Sequence, residues 1–146
     1  TQAGDRVIEW QAYADQVVGL VGCNVTHAGR SAASGVDCVG VPHAAAVAAG
    51  LPLGPIQLYG SQPTEAELYS GLAEFCDVAE DPDTAHIWQV PFIGGARHVV
   101  VPLQELVNGT LCVHAWSNRG KVVESLFRRH TAHGWHIRGI SWRAAS

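Results

Sequence analysis

The sequence predicts an α+β fold in which helices come first along the chain and an antiparallel sheet follows. Up to about Val78 the apolar residues recur mainly at helical spacing, whereas after Pro82 they form short apolar or alternating runs. Turn signals separate these runs, as hairpins between neighbouring strands require. This order of elements favours helices packed against a meander of strands.

Helical patterns predict a first helix, followed by a loop, and a third helix further along the chain. Apolar residues recur at helical spacing over residues 5–21, and the small and polar residues of 24–35 indicate a loop. Thr64 and Glu67 have the spacing of a capping box, which opens a third helix that runs to about Val78.

The second predicted helix covers residues 39–49 and carries no charge, so we expect it to be buried on most sides and to stop at Gly50. Pro42 is tolerated only near a helix start, where backbone N–H groups lack intrahelical partners. The helix should therefore begin at Asp37 or Cys38.

The strand-like runs predict an antiparallel sheet of about five strands. They cover residues 86–92, 97–103, 110–116, 121–127 and 136–142. Gly94-Gly95, Asn108-Gly109 and Asn118-Arg119-Gly120 supply turn signals between them.

The composition favours one compact domain over residues 1–146. Hydrophobic residues make up 47% and charged residues 15% of the chain, which argues against disorder. The formal net charge of −4 argues against a general nucleic-acid binder. No apolar run approaches the roughly 20 residues that a membrane-spanning helix needs, and the N-terminal residues lack the pattern of a secretion signal.

The charged residues are segregated along the chain. Acidic residues crowd the middle, at Glu65, Glu67, Glu74, Asp77, Glu80, Asp81 and Asp83. Basic residues crowd the end, at Arg119, Lys121, Arg128, Arg129, Arg138 and Arg143. Two interpretations stay open, a docking surface for a partner and two solvated faces of opposite sign.

Cys38 is the cysteine that chemistry could use. The four cysteines lack metal-type spacing and the density of a disulfide framework, so we expect thiols, three of them buried hydrophobes. Cys38 lies at the predicted start of a buried helix, where unpaired N–H groups and the helix dipole favour a thiolate. A buried inert thiol is the alternative.

A nucleophilic thiol needs a base, and that base needs a group to orient it. His98 and His114 lie in neighbouring strand-like runs, and an antiparallel pair would bring them together. Taken singly, each is favoured as a hydrogen-bonded structural histidine over a catalytic one.

The segment 130–136 contains His130, His133 and His136, which raises a zinc site as a hypothesis. Gly134 breaks the helical spacing, and no carboxylate or thiol lies close in sequence. A loop that leads into the last strand is therefore favoured, with no metal and no cofactor. The five tryptophans favour core or interface packing over a sugar-stacking platform.

Residues 35–41 read Gly-Val-Asp-Cys-Val-Gly-Val, which resembles the G-x-D-C-x-G-[LV] nucleophile motif of NlpC-type papain-like peptidases, particularly the forms of tailed phages and gene transfer agents. Other segments resemble further elements of that family in the same order. They are the loop before the motif at 21–30, the strand before the base at 86–92, the H-V-G-I element at 96–100, the I-H-A strand at 111–116 and the G-x-V-V-E strand at 120–125.

The resemblance implies a papain-like NlpC-type fold, with the nucleophile at the start of a buried helix that packs on the sheet. It implies a triad of Cys38 as nucleophile, His98 as general base and acid, and His114 as the group that orients the imidazole. The substrate-binding residues that it implies are Asp37, His27 and Arg30.

The implied function is hydrolysis of a peptide bond in the peptidoglycan stem peptide. The protein would act on the cell wall from the tail tip of a phage or gene-transfer-agent particle made in the bacterial cytoplasm, with tail-hub or tail-tip proteins as partners. Two alternatives stay open: a catalytically inactive module of the tail hub, and an acyltransferase or amidase on the same fold. Asn24-Val25, where the family has Pro-Tyr, motivates the inactive alternative.

Overall fold

The computed structural model describes residues 7–26, 29–31, 35–55, 64–91, 97–129 and 132–143. Helices dominate the first half of the chain and strands the second half. The helices are α1 (Trp10–Gly19), α2 (Gly40–Ala48) and α3 (Glu65–Ala73), with a short 3₁₀ turn at Pro82–Thr84. The strands are β1 (Arg30–Ser31), β2 (Gly35–Val36), β3 (Cys76–Ala79), β4 (Ile87–Pro91), β5 (Arg97–Leu106), β6 (Gly109–Trp116), β7 (Lys121–Phe127) and β8 (His133–Ile137).

The larger sheet has six strands in the order β3-β8-β4-β5-β6-β7, and every neighbouring pair is antiparallel. Strands β4 to β7 follow one another as the predicted meander, while β8 returns to lie between β3 and β4. Strands β1 and β2 form a separate two-stranded sheet. The predicted α+β class is confirmed.

The main core lies between the three helices and one face of this sheet. Val17 of α1, Val41 of α2 and Leu72 of α3 are buried in one cluster with sheet residues such as Val101 and Val113. A smaller cluster, which includes Trp88, Val90, Val100 and Cys112, covers the opposite face. Since successive side chains of a strand point to opposite faces, Val100 and Val101 belong to different clusters.

The start of α3 confirms the predicted capping box. The Thr64 hydroxyl accepts a hydrogen bond from Glu67 N, and the Glu67 carboxylate accepts one from Thr64 N, both at 3.1 Å. The predicted end of this helix at about Val78 is wrong, because α3 ends at Ala73 and β3 begins at Cys76. Strand β3 is held by β8, a partner that lies far away in sequence.

The last strand is also displaced from its prediction. It covers His133–Ile137 instead of residues 136–142. Gly139 has a φ of +92°, a left-handed conformation that turns the chain just after the strand. The expectation of a loop over residues 24–35 needs a correction too, since β1 and β2 pair there through Arg30–Val36 and Ser31–Gly35.

Opposite charges from the acidic and basic segments meet within the molecule. Arg138 lies 3.0 Å from Asp77, and Arg129 lies 2.6 Å from Asp83. Arg143 is buried and contacts the Glu105 carboxylate at 3.3 Å. The first two pairs are exposed and contribute little to stability, but they show that part of the segregated charge is matched inside the chain. Among the described residues, no helix has the length and apolarity to cross a membrane.

Candidate active site

Cys38 lies just before α2, where Asp37 caps the helix. Asp37 Oδ1 accepts a hydrogen bond from Gly40 N at 2.7 Å, and the Asp37 carbonyl accepts one from Val41 N at 3.1 Å. The first helical hydrogen bond thus ends at Asp37, close to the predicted start, although the regular helix begins at Gly40. The Cys38 side chain is half-buried and packs against the main core.

Glycines let the loop before Cys38 pack closely around the helix start. A Cβ on Gly40 would overlap the carbonyl oxygen of Gly29. Gly35 has a φ of +98°, and a Cβ there would overlap the side chain of Thr26. The two glycines of the motif around Cys38 therefore fix the backbone on either side of the thiol.

The segment that leads to Cys38 extends the sheet beyond β7. Gly22 N donates to Val122 O and Val122 N donates to Cys23 O, both at 2.9 Å, and Val25 N donates to Gly120 O at 3.0 Å. Val36 then pairs in parallel with Val25. Because Val122 is the register partner of Ala115, this segment reaches the sheet at the end where β6 finishes.

His98 and His114 lie at that same end of the sheet and contact each other. His98 precedes Val101 by three residues, His114 follows Val113, and Val101 pairs with Val113. Strand alternation places both side chains on the same face of the sheet. Nε2 of His98 and Nδ1 of His114 are 2.8 Å apart, so they share a hydrogen bond. The structure therefore brings these two predicted residues together.

Polar and aromatic groups surround His114. Its Nε2 lies 2.8 Å from Ser125 Oγ on β7. Trp116 stacks on the ring with centroids 6.0 Å apart, and Phe127 meets it edge-on at 5.2 Å. Arg119 lies over the Trp116 ring, 5.3 Å from its centroid. These contacts restrict the orientation of the imidazole.

Burial keeps both histidines neutral at pH 7. It lowers the pKa of His98 to about 3, with a further contribution from the neighbouring His114. Burial also lowers the pKa of His114 to about 4. Since a neutral imidazole has one N–H and one lone pair, each ring can donate at one nitrogen and accept at the other.

The hydrogen bond between the rings decides which nitrogen of His98 can exchange a proton. Its Nε2 is engaged with His114, so Nδ1 is the position at which His98 can take or give a proton. The arrangement has the form of a base oriented by a second side chain. Its chemistry depends on a proton donor, such as a thiol, at Nδ1.

The remaining predicted site residues have different outcomes. His27 lies outside the described residues, as does the side chain of Arg30, whose backbone pairs with Val36. The Asp37 carboxylate is present at the helix start as a cap, and its role in substrate binding stays a prediction. Ser125 carries no sequence signal for this role; it faces His114 because their strands are paired neighbours.

The other histidines of the described chain have structural partners. His133 lies against Trp135, with ring centroids 5.4 Å apart. His136 bonds to Thr84 at 2.9 Å and stacks on Trp142. His130 lies outside the described residues. Where the structure describes the chain, no three His, Cys, Asp or Glu side chains converge as a metal site would require.

No protein-family model and no curated protein matches the sequence. Solved structures with a similar fold include the P60 domain of an antigen from M. avium subspecies paratuberculosis, at 17% identity and a TM-score of 0.54 over 88% of this chain and 92% of that one. The peptidoglycan hydrolase RipB from Mycobacterium tuberculosis is similar at 18% identity and a TM-score of 0.56, over 90% of this chain and 64% of that one.

A third similar structure is a lipoprotein-like NLP/P60 family protein from Staphylococcus aureus subsp. aureus Mu50, at 16% identity and a TM-score of 0.54. The similarity covers 89% of this chain and 41% of that protein. The chain thus spans less than two thirds of this protein and of RipB. At these identities the likeness concerns the fold, and the fold of this chain is that of the NlpC/P60 structures.

Proposed function

We propose that the protein is a cysteine peptidase that hydrolyses a peptide bond in the peptidoglycan stem peptide. The observation that carries the proposal is the hydrogen-bonded pair of His98 and His114 in a fold shared with a peptidoglycan hydrolase. In this proposal Cys38, at the capped start of α2, supplies the thiol to Nδ1 of His98.

The proposed reaction begins when His98 Nδ1 takes the proton of the Cys38 thiol. The thiolate attacks the carbonyl carbon of the amide, and backbone N–H groups at the helix start stabilise the oxyanion. His98 then protonates the leaving nitrogen as the C–N bond breaks, which leaves a thioester on Cys38. Water, deprotonated by His98, attacks the thioester, and release of the carboxylic acid restores the thiol.

The substrate contacts form a further part of the proposal. We assign Asp37, His27 and Arg30 to binding of the polar groups of the stem peptide. Asp37 is well placed for this because it is the neighbour of Cys38 and its carboxylate lies at the helix start.

The biological setting that we propose is the tail tip of a phage or gene-transfer-agent particle. The motif around Cys38 supports it through its resemblance to the forms of that motif in such particles. The enzyme would open the cell wall locally, with tail-hub or tail-tip proteins as its partners.

A catalytically inactive module of the tail hub is the second candidate. Asn24, which stands with Val25 at the place of Pro-Tyr in the related motif, accepts a hydrogen bond from Lys121 Nζ at 2.7 Å. These residues join the segment before Cys38 to β7 and offer no aromatic side chain to a substrate. An acyltransferase or amidase would share the nucleophile and differ in its acceptor.

The experiment is incubation of the purified protein with peptidoglycan fragments, followed by mass analysis of the products. We expect two fragments whose combined mass exceeds that of the substrate by one water. The mass of each fragment also identifies the bond that is cut. Cys38→Ala should abolish their formation, whereas Cys23→Ala, which removes a second half-buried thiol, should leave it unchanged. Products formed by Cys38→Ala would contradict the peptidase, and transfer to an added amine without hydrolysis would favour the acyltransferase.

A further inference from the structure

Ser125 lies at the end of a chain of hydrogen bonds that begins at His98. Nε2 of His98 bonds to Nδ1 of His114, and Nε2 of His114 bonds to Ser125 Oγ, each at 2.8 Å. Ser125 projects from β7 on the same face as Val123, which is the register partner of His114. Both ring nitrogens of His114 are therefore engaged by identified groups.

The protons in the hydrogen bonds that link His98, His114 and Ser125 can be arranged in two orders when both rings are neutral. In one, Ser125 donates to His114 Nε2, His114 Nδ1–H donates to His98 Nε2, and the proton of His98 sits on Nδ1. In the other, His98 Nε2–H donates to His114 Nδ1, and His114 Nε2–H donates to Ser125 Oγ. Only the second order leaves Nδ1 of His98 with a lone pair.

The second order is also the one that a protonated His98 requires. An imidazolium donates from both nitrogens, so its Nε2–H needs an acceptor at His114 Nδ1. His114 must then carry its proton on Nε2 and donate it onwards. A hydroxyl oxygen accepts that hydrogen bond, and an alanine at this position would not.

We infer that Ser125 is a positioning residue that fixes the proton of His114 on Nε2 and thereby keeps Nδ1 of His98 as the basic nitrogen. The inference rests on the proposed function, because Nδ1 is the atom that would take the proton of Cys38. Ser125 acts through His114, to which its hydroxyl is hydrogen-bonded.

The burial of His114 makes the hydroxyl of Ser125 important as the hydrogen-bond acceptor at Nε2. The ring is nearly fully buried, with Trp116 stacked on it and Phe127 perpendicular to it. A displaced or missing acceptor at Nε2 would leave a buried N–H unpaired, which is unfavourable. The ring would instead shift its proton to Nδ1.

The test compares wild-type protein with Ser125→Ala and Ser125→Thr by NMR of the ring nitrogens, alongside steady-state kinetics on peptidoglycan fragments. In wild type at pH 7, His98 and His114 should both be protonated at Nε2. Ser125→Ala should move protons to Nδ1 and lower kcat about tenfold with KM unchanged, the scale of one hydrogen bond in the transition state. Ser125→Thr, which restores a hydroxyl on a β-branched side chain suited to a strand, should recover both readouts.

The two readouts separate this inference from the proposed function. Wild-type protein with His114 protonated at Nδ1 would overturn the role of Ser125, whatever its activity. Full activity of Ser125→Ala with unchanged tautomers would overturn it as well. The expected tautomers in a wild-type protein that cleaves no fragment would bear out the proton order and contradict the peptidase.

Discussion

Asp37 binds Gly40 across the first turn of α2, with Oδ1 2.7 Å from the backbone nitrogen. Loss of such a cap costs about 1 kcal/mol of folding free energy. We therefore expect Asp37→Ala to lower the free energy of unfolding by about that amount, and Asp37→Asn, which keeps the acceptor oxygen, to lower it by much less. Urea unfolding of the three proteins measures the difference.

The same pair of variants tests the substrate role of Asp37. Asn keeps the cap and loses the charge, so Asp37→Asn should raise KM for peptidoglycan fragments while its stability stays near that of wild type. If KM rises only in Asp37→Ala, Asp37 serves as a helix cap and does not bind substrate.

The four thiols should differ in reactivity. Cys76 and Cys112 are buried, and burial raises the pKa of each thiol well above its usual value. Cys23 and Cys38 are both half-buried, but only Cys38 lies at a helix start. We expect iodoacetamide at pH 7 to modify Cys38 at least about tenfold faster than Cys23, as a thiolate favoured by the helix dipole would. Peptide mass mapping gives the rates, and equal rates at the two cysteines would favour the inactive module.

The two histidines of the pair should contribute unequally to catalysis. His98→Ala removes the proposed base and should lower kcat/KM by about 1,000-fold or more. His114→Ala removes the orienting group and should lower kcat/KM by a smaller factor. Fragment-cleavage kinetics distinguish the two losses. A greater loss for His114→Ala would reverse the assigned roles.

His86 should make the fold sensitive to acid. It is fully buried, its Nε2 lies 2.7 Å from Ser141 O, and its Nδ1 accepts a hydrogen bond from Ile137 N at 2.8 Å. Burial, as the main cause, lowers its pKa to about 4. A proton on Nδ1 would face the Ile137 N–H, so the folded protein resists protonation there.

The sign of the pH dependence follows from this pKa. Below about pH 6.5 the unfolded chain binds a proton at residue 86 that the folded protein does not bind. The free energy of unfolding should therefore fall as pH drops from about 6.5 towards 4, with His98 and His114 acting in the same direction. His86→Asn should reduce the slope by about 1.4 kcal/mol per pH unit. Urea unfolding across this pH range measures it, and an unchanged slope would exclude His86 as a source.

Gly40 and Gly19 form a matched pair of helical glycines with opposite expectations. Alanine in a helix is normally more favourable than glycine by up to about 1 kcal/mol. Nothing lies within 4 Å of a Cβ built on Gly19, so Gly19→Ala should stabilise the protein or leave it unchanged. A Cβ on Gly40 would overlap Gly29 O, so Gly40→Ala should destabilise it and lower activity by displacing the helix start. Thermal unfolding compares the two, and a stabilising Gly40→Ala would contradict the close packing.

Local signals were sufficient to predict α2, the capping box of α3 and the meander from β4 to β7. Strand β3 escaped prediction because its four residues continue the helical pattern and pair with β8, which is distant in sequence. The early start of β8 was missed because Gly134 disfavours a strand locally. In the fold that glycine is needed, since a Cβ on Gly134 would lie 3.0 Å from Ala85 Cβ and 3.3 Å from Ala79 Cβ.

The candidate site was predictable to the extent that its residues carry recognisable motifs. Cys38, His98 and His114 lie in such motifs, and the pairing of the two histidines follows once β5 and β6 are neighbours. Ser125 carries no such signal, because its relation to His114 depends on the register of β6 and β7. That register is set by side-chain packing over the whole sheet.

The hydrogen bonds from Gly22, Cys23 and Val25 to β7 also have a consequence for self-association. An uncovered terminal strand offers its backbone to other chains and invites aggregation. Here the edge of β7 is covered by residues 22–25, which belong to the segment that leads to Cys38. A substitution that weakened these hydrogen bonds would thus have two effects: it would displace the Cys38 sulfur and expose a sheet edge that promotes aggregation.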